Sequence, residues 1–458
     1  MLTGDQYKSS LNDGRRVYWN GKRVTDLTGC PALKSSIDAV ARTYDAAYHP
    51  GDRAVSELLQ LPTSADALAA RMSLHTEWLT EISFMCVMTA LTAASRIAAR
   101  CPERAAAIRA YVDMLQHQDL RITECITDAK GDRSLAPGKQ HDADAYLRVV
   151  ERRPGGIVVR GAKLHVSHAA IGHELLVMPT KAMKPDEGDY AVAFAASVNS
   201  PGISIVTVGE PTPGDPRDFP FSSREFVPQC FVIFDDVFIP DERVFLDGEP
   251  DLAATFAHAL GLWTRAGGLV NLADDADCLV GFAQLIAEAN GLDKFVHIRE
   301  KISDMVIHAT IIRATLEASL KNCERTTDGM MIPDELFANA GKYLHAANWS
   351  LMIRHLQDIG GGSVLTSPSI SDCENDEIGA LVQNYMRGKQ GVDGRYRLRL
   401  LHAIRDYTLT SYGSYKSFSN LHGGGGLYAQ RLVTRNRYDM ERAKRLALKA
   451  ADLSGAAP

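Results

Sequence analysis

The sequence predicts an α+β chain built in three successive parts: helical, strand-rich, then helical again. Three observations carry that expectation. Apolar residues recur at helical spacing through residues 30–126. Short alternating runs cut by Gly, Pro and Asp fill residues 145–246. From residue 250 onward, long helical stretches with short connections run to the end, each able to cross a bundle.

The first part opens with "ALKSSIDAVARTYDAAYH", set behind Pro31 at a first-turn position. "SADALAARMSLHTEWLTEISFMCVMTALTAASRIAAR" follows, with Ser64 as its cap candidate. "PERAAAIRAYVDMLQHQD" continues the style from Pro102. The second part reads "YLRVVERR", "GIVVRGAKLHVS", "HELLVMPTKAM", "YAVAFAASV", "ISIVTVGEP" and "QCFVIFDDVFIP", strands of an antiparallel barrel or sandwich, with a hairpin corner at Pro-Gly-Gly in "RRPGGIVVRGAK". The third part contains "DDADCLVGFAQLIAEANGL", "FVHIREKISDMVIHATIIRATLEASLKNCE", "PDELFANAGKYLHAANWSLMIRHLQDIGG" and "YRLRLLHAIRDYTLTSYGSY". No internal repeat and no strand-to-helix GxGxxG occurs, so a doubly wound dinucleotide domain is not expected. Three packed units in this order enclose a concave site suited to a bulky cofactor.

Composition narrows the function classes. The 458 residues are 45% hydrophobic and 23% charged, ordinary for a globular protein. A formal charge of −6 argues against a nucleic-acid partner. "MLTGDQYKSSLNDGRR" has no apolar segment of the signal-peptide kind. No stretch reaches the roughly 20 apolar residues of a membrane span. Cys30, Cys86, Cys101, Cys125, Cys230, Cys278, Cys323 and Cys373 are scattered without a CxxC pair. They read as reduced cysteines of a cytoplasmic protein, and no structural metal is expected.

Three stretches carry candidate chemistry. "TDAKGDRSLAPG" (127–138) is either a polar turn or a grip, in which Lys130, Arg133 and backbone N–H groups hold an anionic ligand and Asp132 orients them. The backbone of Glu124, Cys125 and Ile126 just ahead could face the same ligand. "GAKLHVSHAAIGHELLVMPTKAM" (161–183) holds His165, His168 and His173, but strand positions three apart point to opposite faces, which disfavours a metal. Ser167 and Thr180 are the better ligand contacts there. "LHGGGGLYAQR" (421–431) permits close backbone approach through its glycines. "QDIGGGSVLTSP" and "YMRGKQGVDGRYRLR" are weaker signals.

With these stretches in view, a family resemblance emerges. "LTGDQYKSSLNDGRRVYWNGKRVTDLTGCPAL", "VARTYDAAYHP", "DAKGDRSLAP", "GGIVVRGAKLH", "HELLVMPT", "VIFDDVFIPDERVF", "MRGKQGVD" and "HGGGG…AQR" together resemble the 4-hydroxyphenylacetate 3-monooxygenase / 4-hydroxybutyryl-CoA dehydratase family, from residue 2 to about 445. The resemblance implies an acyl-CoA dehydrogenase-like fold: an N-terminal helical domain (1–136), a central antiparallel β-barrel domain (137–255) and a C-terminal four-helix bundle (256–458) that builds a homotetramer or dimer of dimers. It implies FAD, with contacts from Glu124, Cys125, Ile126, Thr127, Lys130, Asp132, Arg133, Ser167, Thr180, Gly423, Gly424 and Gly425.

The same resemblance marks departures. Where the dehydratases place two cysteines of a [4Fe-4S] cluster, this chain has Met85 and Thr89, and "GLWTRAGGLVN" lacks the remaining histidine and cysteine. No iron–sulfur cluster is therefore expected. Where the phenol hydroxylases carry Arg, Tyr and His, this chain has Met88, Thr92 and Glu124. Met85, Met88, Thr89 and Thr92 are the implied substrate pocket. Glu124, with His165 and His173 as further candidates, is the implied catalytic group. The resemblance favours the oxygenase component of a two-component flavin monooxygenase. A separate NAD(P)H:flavin reductase supplies reduced FAD, which reacts with O2 through a C4a-(hydro)peroxide to oxidise a small molecule. The alternatives are a cluster-free acyl-CoA dehydratase or isomerase and a non-catalytic flavin-binding homologue.

Overall fold

The protein is described by a computed structural model covering residues 1–51, 55–74, 78–209, 214–224 and 227–453. Five helices of the N-terminal part are α1 (Gly4–Ser10), α2 (Lys34–Ala47), α3 (Ala65–Ser73), α4 (Trp78–Ile97) and α5 (Pro102–Gln118). Ser64 caps α3 by accepting from the Ala67 N–H at 3.0 Å, and Pro102 occupies the first turn of α5. Of the long stretch expected to follow Ser64, residues 75–77 lie outside the described residues.

Eleven strands make two sheets: β1 (Val17–Trp19), β2 (Lys22–Val24), β3 (Ile122–Cys125), β4 (Thr127–Asp128), β5 (Arg148–Arg153), β6 (Gly156–Ser167), β7 (Glu174–Val177), β8 (Val192–Ser197), β9 (Ile203–Val208), β10 (Gln229–Pro240) and β11 (Val244–Asp247). The larger sheet runs β2-β1-β9-β10-β6-β4 with β5 also on β6, and the smaller runs β11-β8-β7-β3. The expected hairpin is present: β5 and β6 join through Pro154-Gly155, with Gly155 at φ +88°.

The expected barrel is not what these strands form. Both strand orders are open paths, and the inner faces of the two sheets share one core that includes Val166, Ile205, Val232 and Phe234 from the larger and Leu175, Val177, Phe194 and Val244 from the smaller. The result is a sandwich. Nor is it wholly antiparallel, because β1 pairs β9 and β3 pairs β7 in parallel. Those exceptions arise where segments ahead of residue 137 are drafted into the sheets.

The C-terminal part is built on α6 (Ala253–Ala289), α7 (Val296–Lys321) and α8 (Glu335–Gly360), which pack on one another. A small hairpin of β12 (Glu324–Arg325) and β13 (Met331–Ile332) separates α7 from α8. Short helices α9 (Ser363–Thr366), α10 (Ile370–Cys373) and α11 (Gly379–Tyr385) lead to α12 (Gly394–Leu409) and α13 (Ser411–His422), which lie against the trio. Then come α14 (Leu427–Arg437) and α15 (Met440–Ala450). The 37-residue α6 buries residues around its whole circumference, as a central helix must. Its neighbours approach closely because Gly341 of α8 leaves no room for a Cβ beside Thr315 and Leu269.

A buried ion pair joins β4 to β6 of the larger sheet where the chain leaves the N-terminal helices. Lys163 on β6 meets Asp128 on β4 at 2.8 Å, both side chains 2% exposed. The Lys163 ammonium also donates to the carbonyls of Ile126 (3.0 Å) and Met178 (2.9 Å). Asp128 accepts from the Leu147 N–H at 3.0 Å. The Thr180 hydroxyl touches the Asp128 carboxylate, accepts from its N–H at 3.1 Å and donates to Ile126 at 2.7 Å. Lys163→Met leaves a buried carboxylate without its counter-charge, so the unfolding free energy should fall by about 3–5 kcal/mol. Urea unfolding should show the double variant with Asp128→Asn to be more stable than Lys163→Met alone; equal midpoints would show that the pair does not carry this charge balance.

Candidate active site

Immediately after Asp128 the chain turns sharply. Lys130 and Gly131 both take positive φ, +71° and +48°, and the Lys130 N–H donates to Ala145 at 2.9 Å. Gln140 holds the turn from below, accepting from the Asp132 N–H at 2.9 Å and donating to the carbonyls of Asp132 and Leu135 at 2.7 and 3.2 Å. The Asp132 carboxylate accepts from the N–H and hydroxyl of Ser134 at 2.9 and 2.7 Å. It braces the loop itself, rather than orienting Lys130 and Arg133 as expected.

Those two cations are left without a carboxylate partner among the described residues. Lys130 is half-buried, and burial, then the neighbouring Arg133, holds its ammonium below the ordinary value. Lys181, seated over the Tyr146 ring at 5.3 Å, adds to the same field. His165 stands beside Lys130 at the exposed end of β6, at φ +58°. Burial, then Lys130 and His422, keeps its imidazole below the ordinary pKa. His422 ends α13 directly before the glycine run, and its effect on His165 puts the start of that run near the exposed end of β6.

The glycine run has a built support. Gly424 and Gly425 take φ +69° and +93°. Their carbonyls accept from Arg265 Nε (2.8 Å) and Gln430 Nε2 (2.7 Å). A Cβ on Gly424 would stand 3.0 Å from Arg265 Cγ, so the backbone lies directly on the arginine. Arg265 is buried and donates also to Asn339 at 2.7 Å. Behind it, the buried Lys342 donates to the Asn420 carbonyl, and burial lowers its ammonium to about 7.

Glu124 lies on β3 opposite Leu176 of β7, half-buried. Its carboxylate faces Cys86 of α4, whose thiol is pushed well above the ordinary value by burial and then by Glu124. Cys125 points the other way into the sandwich core. Several expected ligand groups already have protein partners. The Cys125 carbonyl accepts from Met178, the Ile126 carbonyl from Thr180 and Lys163, and Thr127 pairs with Leu164. The Ser167 hydroxyl meets Gln229 at 2.9 Å.

Met85, Met88, Thr89 and Thr92 share one face of α4 and are all buried. Thr92 accepts from Trp263 Nε1 at 2.8 Å, and the fully buried Trp263 packs edge-on to Phe84 at 5.7 Å. The Thr89 hydroxyl is buried with no hydrogen-bond partner among the described residues. The three histidines of 161–183 do not converge. His168 meets Arg121 in the interior at 2.6 Å. His173 accepts from the Arg121 N–H at 2.8 Å and meets Ser10 at 2.7 Å, and burial with Arg15 and Arg121 lowers it to about 3. With both ring nitrogens engaged and the imidazole neutral, His173 is not placed as the expected proton carrier. Among the described residues no group of three or more His, Cys, Asp or Glu could hold a metal ion. At the positions implied for cluster cysteines, the Met85 thioether and Thr89 hydroxyl do not fit an iron–sulfur centre.

Sequence reasoning missed Lys163, Lys181, Arg265, Trp263 and His422. His422 had a signal, standing directly before four glycines. Arg265 and Trp263 had only their interruption of an Ala-, Gly- and Leu-rich helix.

The family description "4-hydroxyphenylacetate 3-hydroxylase N terminal" matches residues 3–246, and its C-terminal counterpart matches 253–452. The 4-hydroxybutyryl-CoA dehydratase/vinylacetyl-CoA-Delta-isomerase of Clostridium aminobutyricum is 27% identical, covering 99% of this chain and 100% of that protein. The 4-hydroxyphenylacetate 3-monooxygenase oxygenase component of Geobacillus is 27% identical over 90% and 88%. An FADH(2)-dependent monooxygenase of Burkholderia cepacia is 26% identical over 99% and 93%. Among solved structures, the 4-hydroxybutyryl-CoA dehydratase of N. maritimus superposes with a TM-score of 0.88 at 28% identity, covering 100% and 96%. The oxygenase component of 4-hydroxyphenylacetate 3-monooxygenase, complexed with FAD and 4-hydroxyphenylacetate, also gives 0.88, at 25% identity over 98% and 99%.

The support under the glycine run makes a pH prediction. Lys342 is lowered from 10.5 to about 7, so between those values the unfolded chain binds a proton that the folded chain lacks. Stability should therefore rise with pH across that window and be lost as pH falls towards 7. Thermal unfolding at pH 7, 8, 9 and 10 should show this slope, and Lys342→Met should flatten it. An unchanged slope in the variant would assign it to other groups.

Proposed function

The chain belongs to the 4-hydroxyphenylacetate 3-hydroxylase family, and we propose that it is an FADH2-dependent monooxygenase, the oxygenase component of a two-component system. The observation that carries this reading is the cationic patch of Lys130, Arg133 and Lys181 near the start of the glycine run. Its first two charges lack a carboxylate partner among the described residues, the arrangement a flavin dinucleotide's phosphates require.

In this reading Lys130 and Arg133 bind the anionic part of FAD, while Gly423, Gly424 and Gly425 admit it close to the backbone held by Arg265 and Gln430. When bound in its reduced form, the flavin supplies the electrons that activate O2 for transfer of one oxygen atom to the substrate. The chain's own residues do the rest. Met85, Met88 and Trp263 form a buried apolar wall that excludes water. The Thr89 hydroxyl is free to hydrogen-bond a bound group. A Glu124 carboxylate oxygen accepts a proton from the substrate or holds a cationic substrate group, replacing the histidine of the phenol hydroxylases. Reducing equivalents come from a separate NAD(P)H:flavin reductase. Exposed apolar side chains late in the chain, including Phe418, Tyr428 and Leu446, support a homotetramer.

A cluster-free dehydratase or isomerase of an acyl-CoA is the second reading, favoured by the similarity along the full length of the clostridial dehydratase. Glu124 would then remove a substrate proton. One experiment separates the two: chemically reduced FAD, the protein and a panel of aromatic substrates are mixed under ¹⁸O2. One labelled oxygen per product molecule is expected. Absence of label, with anaerobic turnover of 4-hydroxybutyryl-CoA instead, would establish the second reading.

Two substitutions divide binding from chemistry. Lys130→Met combined with Arg133→Met should weaken reduced-FAD binding by about 10- to 100-fold, the scale of a lost charge-assisted contact. Fluorescence titration checks this. Glu124→Gln should leave FAD affinity within about twofold while lowering turnover by about 100-fold or more. Parallel losses of affinity and turnover would instead make Glu124 a structural group.

A further inference from the structure

Arg121 immediately precedes β3 and is 4% exposed. A guanidinium this deeply buried ordinarily faces a carboxylate. Here no carboxylate among the described residues forms a salt bridge with it. Its Nη2 meets His168 Nδ1 at 2.6 Å. Its Nε is buried without a hydrogen-bond partner among the described residues. His168 does not supply the missing charge, because a buried imidazole against a guanidinium stays neutral.

The same side chain lines a cavity of about 40 Å³ between α2, α4 and the start of β3, walled by Val40, Tyr44, Ala47, Leu59, Ser83 and Asp119. The other polar groups of the wall are engaged. The Tyr44 hydroxyl donates to the Asp119 carbonyl at 3.0 Å, and Ser83 donates to the Ile122 carbonyl at 3.2 Å. The Asp119 carboxylate accepts from the Leu2 N–H at 2.9 Å. Arg121 is thus the wall's source of unpaired donors and positive charge.

We propose that this cavity is a binding site for a small monocarboxylate, held by the Arg121 guanidinium. A space of this size holds about three water-sized groups, which suits formate or acetate or the carboxylate end of a longer chain. A dianion would bring a second charge with no cation to meet it and Asp119 in the wall. The site is separate from the proposed flavin site: neither Glu124 nor any residue of the loop after β4 lines this cavity.

Isothermal titration of the full-length protein with sodium acetate, in chloride-free buffer at constant ionic strength, tests this. Saturable binding of one acetate per chain is expected. Arg121→Gln should weaken it by about tenfold or more, the effect of losing a charge-assisted contact. Ala47→Leu, which fills the cavity and leaves the guanidinium in place, should do the same. Arg121→Lys, which keeps the charge, should bind better than Arg121→Gln. Butyrate identifies the source: affinity close to that of acetate means the carboxylate end of a longer molecule, and much weaker binding means a free small anion. No saturable binding to the parent protein, or undiminished binding in Arg121→Gln or Ala47→Leu, would overturn the proposal and leave water as the occupant.

Discussion

The buried pair of Asp128 and Lys163 is the contact on which the rest of the site depends. Both charges have left water, and the surrounding structure offsets that by supplying further partners: the Leu147 N–H, two carbonyls and the Thr180 hydroxyl. Those partners come from the link between β3 and β4, the segment behind β7 and the approach to β5. One interaction thus fixes the exit of the N-terminal part, the edge of the larger sheet and the continuation of the smaller one. It also sets the direction in which residues 129–134 leave the sheet. A buried pair of this kind is a modest source of net stability and a strong source of geometric definition, since few other arrangements satisfy every lone pair and proton.

A second group of buried charges orders the bundle. In the bundle, Asp275 receives Lys416 at 2.9 and 3.0 Å and the Tyr407 hydroxyl at 2.5 Å. Asp406 accepts from the N–H groups of Phe221 and Ser222 at 2.7 and 2.9 Å, and His402 meets Asp218 at 2.9 Å. The segment 214–224, which lies between β9 and β10 in the chain, is held on α12 by these contacts.

Much of the architecture was legible because periodicity and punctuation are local signals. Ser64, Pro102 and the Pro154-Gly155 corner each act within a few residues, and each is found where its chemistry implies. The closure of the strands was not legible. Whether alternating runs make a barrel or a sandwich depends on which edges meet, and two of those meetings bring in β1 and β3 from far upstream. At the site, the residues with composition signals, Lys130 and Arg133 among them, stood out in the sequence. Asp132 was misread because an acidic residue between two basic ones suggests an ion pair, whereas a nearby Ser134 offers a shorter-range Asx turn. Arg265 and Trp263 were hidden inside an apolar helix, where nothing local marks the partner they reach across space.

Two sets of cations in this chain contrast in how they are matched. Lys163, Lys416 and Arg243 are matched to Asp128, Asp275 and Glu174, with distances of 2.6–2.9 Å. These pairs hold elements together. Lys130 and Arg133, and separately Arg121, have no carboxylate partner among the described residues, although the chain carries an excess of acidic side chains. With anions in surplus, an unmatched cation is not forced by composition. Holding a buried cation apart from available carboxylates works against stability unless neutral oxygens serve it, as they serve Arg265 and Lys342, or another anion completes the balance. At the loop after β4 the anion we propose is the flavin's phosphate chain, and beneath β3 the small carboxylate proposed for the Arg121 cavity.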